Sequence, residues 1–156
     1  MAILLRKEIK EYTTHPAGGP YPAACTGVQE HKDVETAFGM KDRLQINFQT
    51  EVKERDHVEG VMDDRPMTVT SFVNATLNEK GRLMELLRQQ IPTDAIQAQT
   101  RAGQEFDVEE ALVGTQWLLV VEHNESNGKV YANITNAMKA PESQQVAIWE
   151  QREAAF

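Results

Sequence analysis

The sequence predicts a mainly β protein with one or two helices, in the order strand, strand, strand, helix, strand, strand. Three observations carry this. Residues 43–49 alternate polar and apolar without a break, the period of a strand with one face buried. Residues 116–134 read as strand, turn and strand around Asn127-Gly128, a residue pair suited to the positive φ angles of a tight hairpin turn. Between these blocks Leu83, Leu86, Leu87 and Ile91 recur at helical spacing, and Pro92 follows them as a stop.

Each element has its own justification. Residues 1–11 suit a short strand or arm. Residues 12–22 hold three prolines and two glycines, a loop composition. From Ala23 to about Thr36 the composition suits a strand. In the strand of residues 43–49, Leu44, Ile46 and Phe48 form the core face, and Arg43, Gln45, Asn47 and Gln49 the open face. Residues 54–66 are charged and contain Gly60 and Pro66, as a hairpin loop does. Met67–Val73 is rich in β-formers and makes the third strand. Asn78 stands where a helix cap belongs, and residues 93–105 read as a loop. Phe106–Gly114 forms a short helix, Gln116–His123 a strand, Asn124–Gly128 the turn and Lys129–Ile134 the last strand, with Val130, Ala132 and Ile134 as core. The tail after Pro141 suits an amphipathic turn or two through Val146, Trp149 and Phe156. The domain thus spans 21–140, preceded by an arm and loop over 1–20 and followed by a tail or short helix over 141–156.

A helix between the third and fourth strands of a five-stranded meander is the arrangement of the OB-fold, a partly open barrel that binds oligonucleotides. A five-stranded OB-like barrel is therefore the expected architecture, and a mixed α+β sheet the alternative. With 156 residues, 40% hydrophobic and 26% charged, the chain has the composition of one soluble globular domain. It contains nothing like the roughly 20 apolar residues of a membrane helix. Its single cysteine, Cys25, forms no internal disulfide, which fits a reducing cytoplasm. A net charge of −8 argues against a broad duplex-binding surface. A local basic groove for single strands is compatible with it.

Tyr21-Pro22-Ala23 leading to Gly27-Val28, then a polar stretch and Phe48, resembles the first hairpin of the small single-stranded DNA-binding proteins of tailed phages. Asn78-Glu79-Lys80 before the Leu-rich helix resembles that family's central segment. Phe106-Asp107-Val108, Leu112-Val113-Gly114, His123 and Gly128–Ile134 resemble its last third. The resemblance runs in order from about residue 20 to 140. It implies an OB-like fold and non-catalytic binding of single-stranded DNA in phage replication or recombination, in the host cytoplasm. The longer arm and the Ala-Phe terminus depart from the pattern and inherit no function.

Single-strand binding without sequence preference uses cations for phosphates and exposed aromatics for bases. Lys41 and Arg43 are the first phosphate candidates; Lys53 and Arg55 flank the next loop and Arg65 closes it. Tyr131, beside Lys129, points away from the expected core and suits stacking. Phe72 breaks the alternation of Val69 and Ser71, so a bulge turns it either way. Trp117 shares a face with Leu119 and Val121 and suits a core or rim position. Glu105 to Glu110 is a poor place for DNA. Against each stands the plain reading of a solvated or packed side chain, and an aromatic content of 6% is low for a stacking protein.

Many single-strand-binding proteins recruit replication enzymes through an acidic tail ending in an aromatic residue. Here Glu150 and Glu153 precede Phe156, but Arg152 interrupts them, and a packed helix accounts for the segment as well. Partners through the tail and a homo-oligomer are both left open. Enzyme readings are weaker. The four histidines, His15, His31, His57 and His123, lie far apart in sequence, and neither a zinc spacing nor a phosphate loop is present. No metal or other cofactor is expected. Asp42 with Glu51-Val52-Lys53 superficially matches a metal-dependent nuclease core. The main alternative to DNA binding is a protein-interaction module on the same fold, such as a phage inhibitor of a host protein.

Overall fold

In a computed structural model, the described residues are 14–37, 39–77, 80–100 and 105–149. They form one sheet of five antiparallel strands, β1 (Gly18–Thr36), β2 (Gly39–Lys53), β3 (Pro66–Asn74), β4 (Gln116–Ser126) and β5 (Lys129–Lys139), in the spatial order β3-β2-β1-β4-β5. Between β3 and β4 lie the helices α1 (Arg82–Gln90), α2 (Thr93–Thr100) and α3 (Val108–Leu112). The edge strands β3 and β5 approach each other, and α1 packs against both. Among the described residues no hydrogen-bonded ladder joins those edges, so the sheet is curved but not closed.

The inner face is the core. On β2 it is Leu44, Ile46 and Phe48, as the alternation requires. β1 adds Ala23 and Cys25, β3 Val69 and Val73, and β4 Trp117, Leu119 and Val121. The Phe48 and Trp117 rings meet edge to face at 5.7 Å, a favoured aromatic geometry. Leu83, Leu86 and Leu87 of α1, Ile96 of α2 and Leu112 of α3 cover this face.

Several elements differ from expectation. β1 begins at Gly18, inside the expected loop, because Gly18 and Tyr21 pair with Val121 and Leu119 of β4 and a register shift between them absorbs Pro20. Residues 93–100 form α2 rather than loop. Pro92, which has no N–H to continue α1, lends its carbonyl to the Ala95 and Ile96 N–H groups and opens α2. The cap of α1 is Gly81; Asn78 lies outside the described residues, as do residues 1–13, the expected arm 1–11 among them, and Phe156. The β4–β5 turn is Asn127-Gly128 alone, with φ of 53° and 78°, so both strands run further than expected. Their tip projects past the core, leaving Val130 49% exposed rather than buried. In the tail, Glu142–Gln144 makes a 3-10 turn and Val146 is buried.

No helix of the described residues is long and apolar enough to cross a membrane.

Candidate functional site

Alternation along β2 and the register with its neighbours place Gln29 and His31 of β1, Arg43, Gln45 and Asn47 of β2, and Thr70 and Phe72 of β3 on the outer face. Phe72 needs no bulge to get there. Val69, Ser71 and Val73 point inward and Thr70 and Phe72 outward in regular alternation, and the Phe72 ring is 54% exposed.

Around that ring the side chains are tied together. His31 Nε2 donates to Gln45 Oε1 at 2.8 Å, and its ring lies 6.4 Å from that of Phe72, tilted by 44°. Gln45 Nε2 donates to Asn47 Oδ1 at 2.9 Å, and Thr70 Oγ1 donates to the same oxygen at 2.9 Å. Arg43 Nη2 donates to the Phe72 carbonyl at 3.1 Å. Its Nε is buried without a hydrogen-bond partner among the described residues. The result is an open aromatic ring at the end of an amide and hydroxyl floor, with a guanidinium and an imidazole beside it. Such a surface can stack a planar ring and satisfy its polar edges. Lys41 is exposed two residues from Arg43 and makes no ion pair among the described residues.

The other candidates do not join it. Lys53 Nζ and Arg55 Nη1 both face Asp64 Oδ1, at 3.7 and 2.7 Å. Arg65 Nε lies 2.7 Å from Asp63 Oδ1 and 3.9 Å from Glu54 Oε2; its bonds to Asp63 hold that carboxyl below the usual range and the guanidinium above its own. The loop thus neutralises its own cations. Trp117 is 1% exposed, with Nε1 donating to Thr115 Oγ1 at 2.7 Å, so stacking there would require opening the core. Tyr131 is 49% exposed on the outer face, but it pairs with Asn124 on the edge strand β5, beside Lys129 near the turn. In the strand order β1 and β4 separate it from the strand of Lys41 and Arg43.

Two further features were not legible in the sequence. His15, distant in sequence from His57 and His123, comes close enough for their charges to matter. Burial chiefly lowers its pKa, the Pro16 carbonyl opposes this, and the two histidines lower it further. The Pro16 carbonyl can only accept, so His15 Nδ1 carries the proton (2.9 Å), and Nε2 accepts from Thr50 Oγ1 at 2.7 Å. His123 Nε2 donates to the His15 carbonyl at 2.7 Å. Of the three, only His15 is buried; His57 and His123 are exposed. Among the described residues no group of three or more His, Cys, Asp or Glu side chains is placed to hold a metal ion. The second feature is a cavity of about 400 Å³ lined by Val28, Leu44, Leu77, Leu83 and Phe106, with Glu30, Asp107 and Glu109 also in its wall.

No family model matches the chain, and no curated protein matches it either.

Proposed function

We propose that this chain is a non-catalytic, OB-type single-stranded DNA-binding protein acting in phage DNA replication or recombination. The observation that carries the reading is Phe72, exposed on the outer face of β3 at the end of the Gln45–Asn47–Thr70 floor and beside Arg43 and His31. In OB-folds the face of strands two and three binds oligonucleotides, and exposed aromatics flanked by cations bind single strands without reading sequence. The strand order β3-β2-β1-β4-β5, with the two edges drawn together, supports the OB-like reading, since joining those edges would complete a five-stranded barrel. The resemblance of residues 20–140 to phage single-strand-binding proteins points the same way.

The working site is Phe72, Arg43, Lys41, His31, Gln45 and Asn47, with Lys129 and Tyr131 as outlying contacts. A labelled oligonucleotide titrated at two salt concentrations tests it. Phosphate contacts make affinity fall steeply with salt, so salt-dependent binding without cleavage in Mg²⁺ is expected. No binding at low salt would sink the proposal.

A protein-interaction module is the second reading, and the cavity with both apolar and acidic residues in its wall is the observation that favours it. A chain that binds no oligonucleotide but captures a basic, apolar peptide would move the assignment there.

A further inference from the structure

A second aromatic reaches the outer face from the far end of the chain. After the 3-10 turn, residues 145–149 form a strap held by two glutamines. Gln116 Nε2 donates to the Val146 carbonyl at 3.0 Å, and its Oε1 accepts the Val146 N–H at 2.7 Å. Gln49 Nε2 donates to the Ala147 carbonyl at 2.8 Å, and its Oε1 accepts the Trp149 N–H at 2.9 Å. Each primary amide offers the strap one donor and one acceptor, as the peptide group of a neighbouring strand would. Ala24 pairs with Gln116 on one side and Gln49 on the other, so the strap's anchors form one row across β4, β1 and β2. Ala24 is fully buried and Gln49 is 5% exposed, although both belong to the outer face.

Val146 packs down, while Trp149 stays 38% exposed. A cover for Ala24 alone needs only the Gln116 clamp; the Gln49 clamp fixes the backbone of Trp149 itself. Gln49, Asn47 and Gln45 alternate along one face of β2, and Gln45 pairs with Phe72. Trp149 is therefore anchored at one end of the polar floor and Phe72 stands at the other. Four residues of strand separate the anchors, roughly 13 Å at about 3.3 Å per residue.

We propose that Trp149 is a second base-stacking residue, which makes the strap part of the nucleic-acid site. This rests on the DNA-binding reading above. The clamps hold the residue before ligand arrives, which reduces the ordering cost of binding. Bases between the two aromatics would meet the Gln45, Asn47 and Thr70 floor, which is polar but adaptable.

The chain's two tryptophans make the test direct, because Trp117 is 1% exposed and Trp149 38%, so acrylamide quenching of the full chain reports mainly Trp149. Oligothymidylate is expected to protect it. Trp149→Ala should weaken binding roughly 5- to 150-fold, the effect of losing one stacked base. Trp149→Phe, which keeps a ring, should recover most of that, and Gln49→Ala, which frees the clamp, should lose part of it. Unchanged quenching with oligonucleotide bound, or full affinity in Trp149→Ala beside weakened binding in Phe72→Ala, overturns the second stacking site and leaves the DNA-binding reading standing. Tighter binding by Trp149→Ala also overturns it, since the strap would then compete with the ligand. Absence of binding by the unaltered chain refutes the underlying reading instead.

Discussion

Replacing Phe72 by alanine is expected to separate binding from stability. The ring is 54% exposed, so about half of its burial is at stake. Fully burying a phenylalanine side chain is worth ~1.5–3 kcal/mol, which makes the expected loss about 1 kcal/mol. For a domain of this size that lowers Tm by roughly 2–4 °C. The same change at Phe48, 1% exposed and packed on Trp117, should cost ~3–5 kcal/mol. On the binding side, one stacked base is worth ~1–3 kcal/mol, or roughly 5- to 150-fold in Kd. The assay is fluorescence anisotropy of labelled oligothymidylate against the unaltered chain, Phe72→Ala and Tyr131→Ala at low salt, each variant also melted. Phe72→Ala should lose at least ~5-fold in affinity while melting within a few degrees of the parent. Tyr131→Ala, on the outlying edge strand, should lose less. Equal affinity of folded Phe72→Ala and parent would refute the stacking role. So would a melting shift approaching that of Phe48→Ala, because the ring would then be structural.

Four other outcomes follow from the same geometry. Asp64→Asn removes the acid that faces Lys53 and Arg55; such exposed pairs contribute ~0–1 kcal/mol, so the fold should hold. Oligonucleotide affinity should rise a few-fold, with the salt slope steepening by roughly 0.7 per added phosphate contact, and an identical slope would place that loop outside the binding surface. Gly19→Ala should destabilise strongly, because φ is +115° and a Cβ would stand 2.5 Å from the Leu119 carbonyl oxygen; strain alone is ~1–3 kcal/mol, and an unchanged melt would show the backbone there to be relaxed. His15 is held neutral chiefly by burial, so the unfolded chain binds more protons once pH falls below about 6.5. Stability should decline from there until the folded form protonates too, and the decline should flatten in His15→Asn; parallel urea-midpoint profiles for the two would exclude His15 as the source. Burial pushes the Cys25 thiol up to about 11, so a disulfide reagent at mildly alkaline pH should label it slowly when native and promptly in denaturant, and fast native labelling would contradict its burial.

The sequence was most readable where local physics decides. Leu44, Ile46 and Phe48 had to share a face once β2 was recognised, and Asn127-Gly128 could supply both left-handed residues of its turn. It was least readable where one residue serves two purposes or a remote partner decides. Pro92 signals a stop, yet its carbonyl opens α2. Pro20 and Pro22 look like loop, yet pairing with β4 makes their segment a strand. Phe72 showed no preference for either face until the register with β2 was known. His31 joins the site only through its pairing opposite Arg43. The clamps on the strap were beyond reach, since Gln49 and Trp149 are 100 residues apart. The ion pairing of Lys53, Arg55 and Arg65 was foreseeable, because Asp63-Asp64 stands beside Arg65 in the same loop.

β1 serves two neighbours with different stretches of its length. Residues from Ala23 onward pair with the adjacent strand β2, while Gly18 to Ala24 pair with β4, about 90 to 100 residues further along the chain. The β1–β2–β3 meander can form from local contacts, but its free edge at Gly18–Ala24 must wait for residues 116–126 to be made and brought back. Closing so long a loop is slow, and an unpaired strand is an invitation to other chains meanwhile. Folding should accordingly show a fast phase in the first hairpins and a slower one that completes when β4 docks. Chains truncated before Gln116 should aggregate rather than remain as small soluble sheets.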